Sequence, residues 1–159
     1  KSRDDAIART HSMIRKAKPQ DIPAIVDLAI ESVTTIDPIP ELRIDKEAME
    51  DMARQCLEPA HFLYVSEIDG VVVGAVAVHV SPGFWFRGLQ CSVLLHYSRQ
   101  RGEWGKLMRE FSKWVKSRSG IKVAVLEFER NADHRMIAFM ARIGFGRVTQ
   151  NVTYIRPVK

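Results

Sequence analysis

The apolar residues of this chain change their spacing twice, and that restricts what it can fold into. Ile22, Ile25, Val26, Ala29, Ile30 and Val33 recur at helical intervals. Met49, Met52, Ala53, Cys56 and Leu57 do the same in a second segment that starts near Asp45. From Phe62 the pattern is that of strands: Phe62 to Ile68, then the two-residue hairpin signal Asp69-Gly70, then Val71 to Val80. Ser81-Pro82-Gly83 turns the chain again, and Phe84 to Tyr97 reads as one long strand. Helical spacing returns at Gly105 to Ser119, with Leu107, Met108, Phe111, Trp114 and Val115 on one face. Three antiparallel strands bracketed by helices exclude an all-helical bundle and an all-β sandwich.

The ends complete the pattern. Ile14 to Ala17 reads as a first strand, and Asp21 with Pro23 predicts a capped start for the helix that follows. Ile121 to Phe128 reads as a buried strand and Asn131 to Ile143 as a short helix, closed by Gly144 where a left-handed residue is wanted. Gly146 to Val158 predicts one or two closing strands. The expected fold is one α/β (α+β) domain: a mixed, mostly antiparallel sheet of six to seven strands flanked by about four helices. It would span residues 13–159, with 1–12 read as a tail, an expression remnant or a processed end.

A formal charge of +5 on 159 residues invites a nucleic-acid reading, but the charge is polarised. Residues 21–98 hold four Lys/Arg and twelve Asp/Glu; residues 99–159 hold fourteen and five. That asymmetry fits an anionic ligand handled by the second half better than a uniform basic coat. A nucleic-acid partner would use the stripe Lys106, Arg109, Lys113 and Lys116 with the basic first residues. No stacking or groove-fitting element accompanies them, so that reading ranks last. Phe84-Trp85-Phe86 is read as core and sheet packing, with an acceptor-side wall or a homodimer contact as alternatives. Cys56 and Cys91 form no metal or redox spacing and read as reduced, buried residues of a cytoplasmic protein. No apolar run approaches the ~20 residues of a membrane span, and the five His residues show no metal-ligand spacing.

The chemistry-bearing stretch is a strand, a turn and a helix: Leu94-Leu95-His96-Tyr97-Ser98-Arg99-Gln100-Arg101-Gly102-Glu103-Trp104-Gly105-Lys106-Leu107-Met108. Small residues in such a turn let backbone N–H groups converge on an anion, with the positive end of the helix dipole behind them. It is not a P-loop, because Leu107 stands where Ser or Thr must hold Mg²⁺. Nor is it a dinucleotide fingerprint, because antiparallel hairpins precede it in place of a βαβ unit.

These residues resemble the acyl-CoA-binding motif of the GNAT superfamily of N-acetyltransferases, Gln/Arg-x-x-Gly-x-Gly/Ala, aligned here as Gln100 to Gly105. Two further segments are similar to the family: Asn131-Ala132 followed by a helix ending in Gly144-Phe145, and the opening Met13 to Ala17 with Gln20-Asp21-Ile22. The resemblance implies an N-acyltransferase that moves an acetyl or other acyl group from acyl-CoA to a primary amine by direct attack in a ternary complex. It implies a cleft where the strands around Leu89–Leu95 and Val123–Phe128 splay apart. The pantetheine arm would pair with backbone at Leu94 and Leu95 and with Asn131. The pyrophosphate would lie on Gln100, Arg101, Gly102, Glu103, Trp104, Gly105 and Lys106, and the Leu95 N–H would polarise the thioester carbonyl.

Three departures shape the expectation. Glu103 stands where a Gly is usual and sets a carboxylate beside the expected pyrophosphate unless it turns outward or pairs with Arg99 or Arg101. Met140 occupies the position where many members carry a Tyr acid, and Leu89-Gln90-Cys91-Ser92 lacks the Glu base. Glu127, Glu129, His96 or a water chain would replace the base, of which Glu129 is chosen, with Tyr154 as the acid; the competing readings are solvated or salt-bridged glutamates, a surface turn residue for His96 and a packing role for Tyr154. The alternative function is a binding or assembly module that keeps the fold and has lost the chemistry.

Overall fold

The computed structural model describes residues 11–159, so most of the expected tail 1–12 lies outside the described residues. The strands are β1 (Ser12–Lys16), β2 (Phe62–Ile68), β3 (Val71–Pro82), β4 (Leu89–Ser98) and β5 (Ile121–Val125). The helices are α1 (Ile22–Thr35), α2 (Lys46–Cys56), α3 (Glu103–Ser117) and α4 (His134–Arg142), with a 3-10 turn at Pro19–Asp21 before α1. The Asp69-Gly70 turn forms as its sequence predicts: φ is +49° at Asp69 and +82° at Gly70, the left-handed pair that a tight hairpin demands.

The five strands lie in chain order in one sheet, antiparallel throughout except for the parallel pair β4 and β5. Strand alternation sends side chains to both faces, and both faces are covered. Leu63, Val65, Ala75 and Ala77 pack with Ile25 and Leu28 of α1 and Cys56 of α2. Phe62, Val76 and Val78 pack with Leu107, Met108 and Phe111 of α3 and Met140 of α4. A sheet buried on both sides accounts for the near-continuous apolar run of β3. Cys56 and Cys91 are free and buried, and burial pushes both thiols up to about 11.

Four expectations need correction. The sheet has five strands among the described residues, not six or seven: residues 146–159 are irregular, with Val148, Val152 and Val158 exposed, so the segment buries too little apolar surface to hold a ladder on either outer edge of the sheet. β4 begins at Leu89, and Phe84 and Trp85 stand at the tip of the preceding loop, 97% and 82% exposed, outside any core. Asp21 does not cap α1 with its side chain. Instead its carboxylate accepts from the Lys18 N–H at 2.7 Å and from both terminal nitrogens of Arg15, at 2.7 and 3.0 Å. The Arg15 hydrogen bond, opposed by burial, holds Asp21 below the usual carboxylate range. The last helix starts at His134, where Asp133 accepts from the Arg135 N–H at 2.9 Å, so Asn131 sits in the turn ahead of it. Gly144 closes α4 at φ +114°, as its position predicts.

Candidate active site

β4 and β5 pair only from Leu89–Ile121 to Ser92–Val125, and β4 then continues to Ser98 without that neighbour. Within the same stretch β4 carries a bulge. Ala77 of β3 faces Leu95, Val78 faces Val93, and Leu94 is left without a partner. The extra residue reverses the faces of the strand. Cys91 and Val93 join the core under α3, whereas Leu95 and Tyr97, at the same parity, pack on the α1 side. Farther along, the His96 side chain reaches across the gap and its Nε2 meets the Glu127 carbonyl at 2.8 Å. On the side that faces β5, the backbone from Val93 to Leu95 is therefore an unpaired window, bounded by the last β4–β5 pair at one end and by His96 at the other.

His96 is not a surface turn residue. Trp104 Nε1–H, which can only donate, reaches its Nδ1 at 3.1 Å, so the ring proton resides on Nε2 and goes to Glu127. Phe128 meets the same ring edge-on, with centroids 5.4 Å apart. Burial drives the His96 pKa below its ordinary 6.5, against the pull of its bond to Glu127 and of the Glu129 charge. Both ring nitrogens are committed, which removes His96 from the candidate bases.

The turn after β4 is built by short-range bonds. Ser98 Oγ donates to the Gln100 carbonyl at 3.0 Å and accepts from the Gln100 N–H at 3.1 Å. Gly102 then takes φ +90°, which lets α3 begin at Glu103. Gln100, Arg101 and Gly102 are exposed, and the first turn of α3 presents N–H groups that the helix itself does not use. Arg99 is drawn away to Glu31 of α1 at 2.5 Å.

Glu103 takes neither of its expected courses: it turns inward, 5% exposed. Its Oε2 accepts from Ser66 Oγ and, at 2.7 Å, from Ser12 Oγ; its Oε1 lies 2.7 Å from Lys106 Nζ. Burial raises its pKa, but the bonds from Lys106, Ser66 and Ser12 with the lysine charge outweigh it, leaving the carboxyl below the ordinary glutamate value. A charge that looked set to repel an anion is thus spent under the turn, and the exposed face carries Arg101 instead.

On the α1 side of β4 opens a cavity of about 740 Å³. Leu94, Leu95 and His96 line it together with Glu127 and Glu129, so the structure brings Glu129 to the same wall as the bulge. Glu127 accepts from Asn151 Nδ2 at 2.8 Å, while the Glu129 carboxylate has no hydrogen-bonding partner among the described residues and only its backbone carbonyl is engaged, by the Ala132 N–H at 3.1 Å. Tyr154 does not line the cavity: it is 73% exposed on the irregular C-terminal segment, beneath the Arg156 guanidinium. Asn131 is exposed and outside the cavity as well, and Met140 is core. The opposite wall, the connection 36–45 between α1 and α2, has no local signature in the sequence. Its Pro38 and Pro40 mark a loop, but nothing nearby says that its apolar residues turn toward β4.

Solved structures share this fold. A predicted acetyltransferase with acetyl-CoA from Clostridium acetobutylicum superposes with a TM-score of 0.69 at 16% identity, over 92% of this chain and 96% of that one. An aminoglycoside acetyltransferase from an uncultured soil metagenomic sample, in complex with sisomicin, gives 0.65 at 14% identity over 93% and 97%. The aminoglycoside N-acetyltransferase AAC(6')-Iy in complex with CoA gives 0.61 at 16% identity over 93% and 95%. No curated protein sequence matches the chain. At these identities the neighbours carry the fold alone. The sequence profile of the acetyltransferase (GNAT) family, however, matches residues 23–145, from the first turn of α1 to the Phe after α4, and the chain therefore belongs to the acetyltransferase (GNAT) family.

Proposed function

We propose that this protein transfers an acetyl or other acyl group from acyl-CoA to a primary amine, by direct attack within a ternary complex. The observation that carries this reading is the bulge at Leu94, placed where β4 parts from β5 and opening onto the cavity that holds Glu129. The residues fit acyl-CoA. An unpaired strand edge at Val93–Leu95 suits an extended amide-bearing arm. The α3 N-terminus, with exposed Gln100, Arg101 and Gly102, suits a pyrophosphate, and the inward turn of Glu103 removes the one carboxylate that would oppose it.

When bound, acyl-CoA supplies an activated thioester carbonyl. The chain's own residues do the rest. The Leu95 N–H is the donor for the charge that develops on the carbonyl oxygen. Glu129 accepts the proton that the attacking amine must lose, directly or through one water. His96, neutral and held by Trp104 and Glu127, fixes the far edge of the window. The family resemblance assigns Asn131 to the pantetheine arm, and Lys106 holds Glu103 in its inward position. Tyr154 has no part in the arrangement seen.

Titration calorimetry with acetyl-CoA tests the reading: binding in the micromolar range is expected, and no heat at millimolar ligand would end it. Glu129→Gln is expected to keep acetyl-CoA affinity and to slow transfer by about 10²-fold or more. Tight binding of acetyl-CoA without transfer to any amine would point to the non-catalytic module instead.

A further inference from the structure

The turn between β3 and β4 carries an exposed aromatic pair. Large apolar side chains left in water are normally scattered singly, but Phe84 and Trp85 are neighbours and both stand almost wholly in solvent. The loop that holds them is built, not loose. β3 loses its β2 partner after Val78 and runs on through His79, Val80, Ser81 and Pro82, so the hairpin projects past β2. The Gly83 N–H then donates to the Gly88 carbonyl at 2.8 Å, and Phe86 folds back over Gly83, where a Cβ would collide with its ring. Trp85 meets Phe86 edge-on, with centroids 5.3 Å apart. Phe84 and Trp85 are left at the apex.

The charge around this apex is predominantly positive. No Asp or Glu occurs from Val71 to Gly102 or from Phe111 to Leu126. At this end of the sheet those segments supply Arg87 in the loop, Lys116 in the last turn of α3, Arg118 just after it and Lys122 at the start of β5. All four are exposed, and none is ion-paired among the described residues. The Lys122 stem lies against Gly88, and Arg118 donates to the Pro59 carbonyl at 3.2 Å. The connections at this end hold two carboxylates: Asp21, which Arg15 binds, and Glu58. We infer that the apex docks on an anionic lipid bilayer, with Phe84 and Trp85 in the interfacial layer and the four cations toward the headgroups. The charge opposes a two-fold contact between copies, which would set these cations against themselves. A nucleic-acid strand needs a groove that tracks its backbone, and this is a convex tip. β4 runs from Leu89 beside the apex to Ser98 at the α3 turn, about 30 Å away. Docking therefore leaves the acyl-CoA turn free, and the inference goes beyond the acyltransferase reading without depending on it.

The test sediments the full chain with vesicles of equal parts phosphatidylcholine and phosphatidylserine, and with vesicles of phosphatidylcholine alone, while tryptophan emission is recorded. Trp104 and Trp114 pack against the core, so a blue shift reports Trp85. Binding to the anionic vesicles with such a shift is expected, at an affinity about tenfold or more above that for the neutral ones. The doubly substituted Phe84→Ser, Trp85→Ser protein loses no buried side chain, so its thermal midpoint stays unchanged. Its vesicle affinity is expected to fall about tenfold or more, and its blue shift to vanish. Arg87→Gln with Lys122→Gln is expected to weaken binding to the anionic vesicles about tenfold and to leave the neutral ones unaffected. No sedimentation with the anionic vesicles, equal affinity for the neutral ones, or unchanged affinity in the Phe84, Trp85 variant overturns the inference. So does a wild-type dimer that this variant converts to a monomer, which assigns the apex to a second copy. Tryptophan quenching by an oligothymidylate, with no shift on vesicles, overturns it in favour of nucleic acid.

Discussion

The indole of Trp104, at the start of α3, donates to His96 on β4 at 3.1 Å and so dictates which nitrogen of that histidine bears the proton. The other nitrogen is then obliged to donate to Glu127, across the gap between β4 and the segment after β5. One side chain thus ties three elements around the unpaired window.

That tie makes a pH prediction. The folded pKa of His96 is lowered by burial from 6.5, so the unfolded chain binds the proton more readily. Its contribution to stability is present above 6.5 and is lost as the pH falls through the folded value. His61, also lowered by burial and by the charge of His79, acts in the same direction. Thermal midpoints recorded from about pH 8 to about pH 5 should fall on the acid side, and His96→Gln should flatten part of that slope. An identical slope in the variant would refute the role given to His96.

Glu103 is a fastening under the turn. Glu103→Ala strands the buried Ser66 hydroxyl and releases Lys106, at an expected cost of about 1–3 kcal/mol in urea denaturation. Because its folded pKa is depressed, its contribution is complete above the ordinary value of 4.5 and is lost as the pH falls through the folded one. A variant of unchanged stability that bound acetyl-CoA more tightly would mean that the carboxylate faces the ligand after all.

The two glycines of the turn have different reasons. Gly102 sits at φ +90° with open space where a Cβ would project, so Gly102→Ala meets backbone strain alone, about 1–2 kcal/mol. Gly105 is helical, and a Cβ there would lie an ordinary 3.5 Å from Phe139. Gly105→Ala should be neutral or stabilising by up to about 1 kcal/mol. Denaturation midpoints of the two variants should move in opposite directions; equal losses would argue against this division.

Met140 occupies the position of the expected Tyr acid, yet it is packed into the core beneath α3. Met140→Ala should cost about 2–5 kcal/mol of stability while acetyl-CoA affinity in the folded protein stays unchanged. Altered affinity without destabilisation would place Met140 at the ligand instead.

Local pattern was enough to read the element order as far as α4, the Asp69-Gly70 turn, the left-handed Gly144 and the body of α3, whose start it put at Gly105 in place of Glu103, because each depends on residues within a turn or two of one another. The motif residues from Gln100 to Gly105 were legible for the same reason. What the sequence left open depends on contacts between distant positions. Glu103 meets Ser66 and Ser12 across 37 and 91 residues, so its direction is set by which strands lie beneath α3. The Leu94 bulge is a mismatch between two strands and has no signature in either one. The missing closing strands of 146–159 had the right composition, but their Val side chains stay in solvent and join neither outer edge of the sheet, and His96 became a bridge only because β5 diverges beside it. The charge asymmetry between the two halves was visible from the start. Folding cut across it: Arg101 at the exposed end of β4 and Glu127 and Glu129 in the cavity beside its bulge all come from the basic second half, so the local charge of the site is set by which side chains the fold brings together.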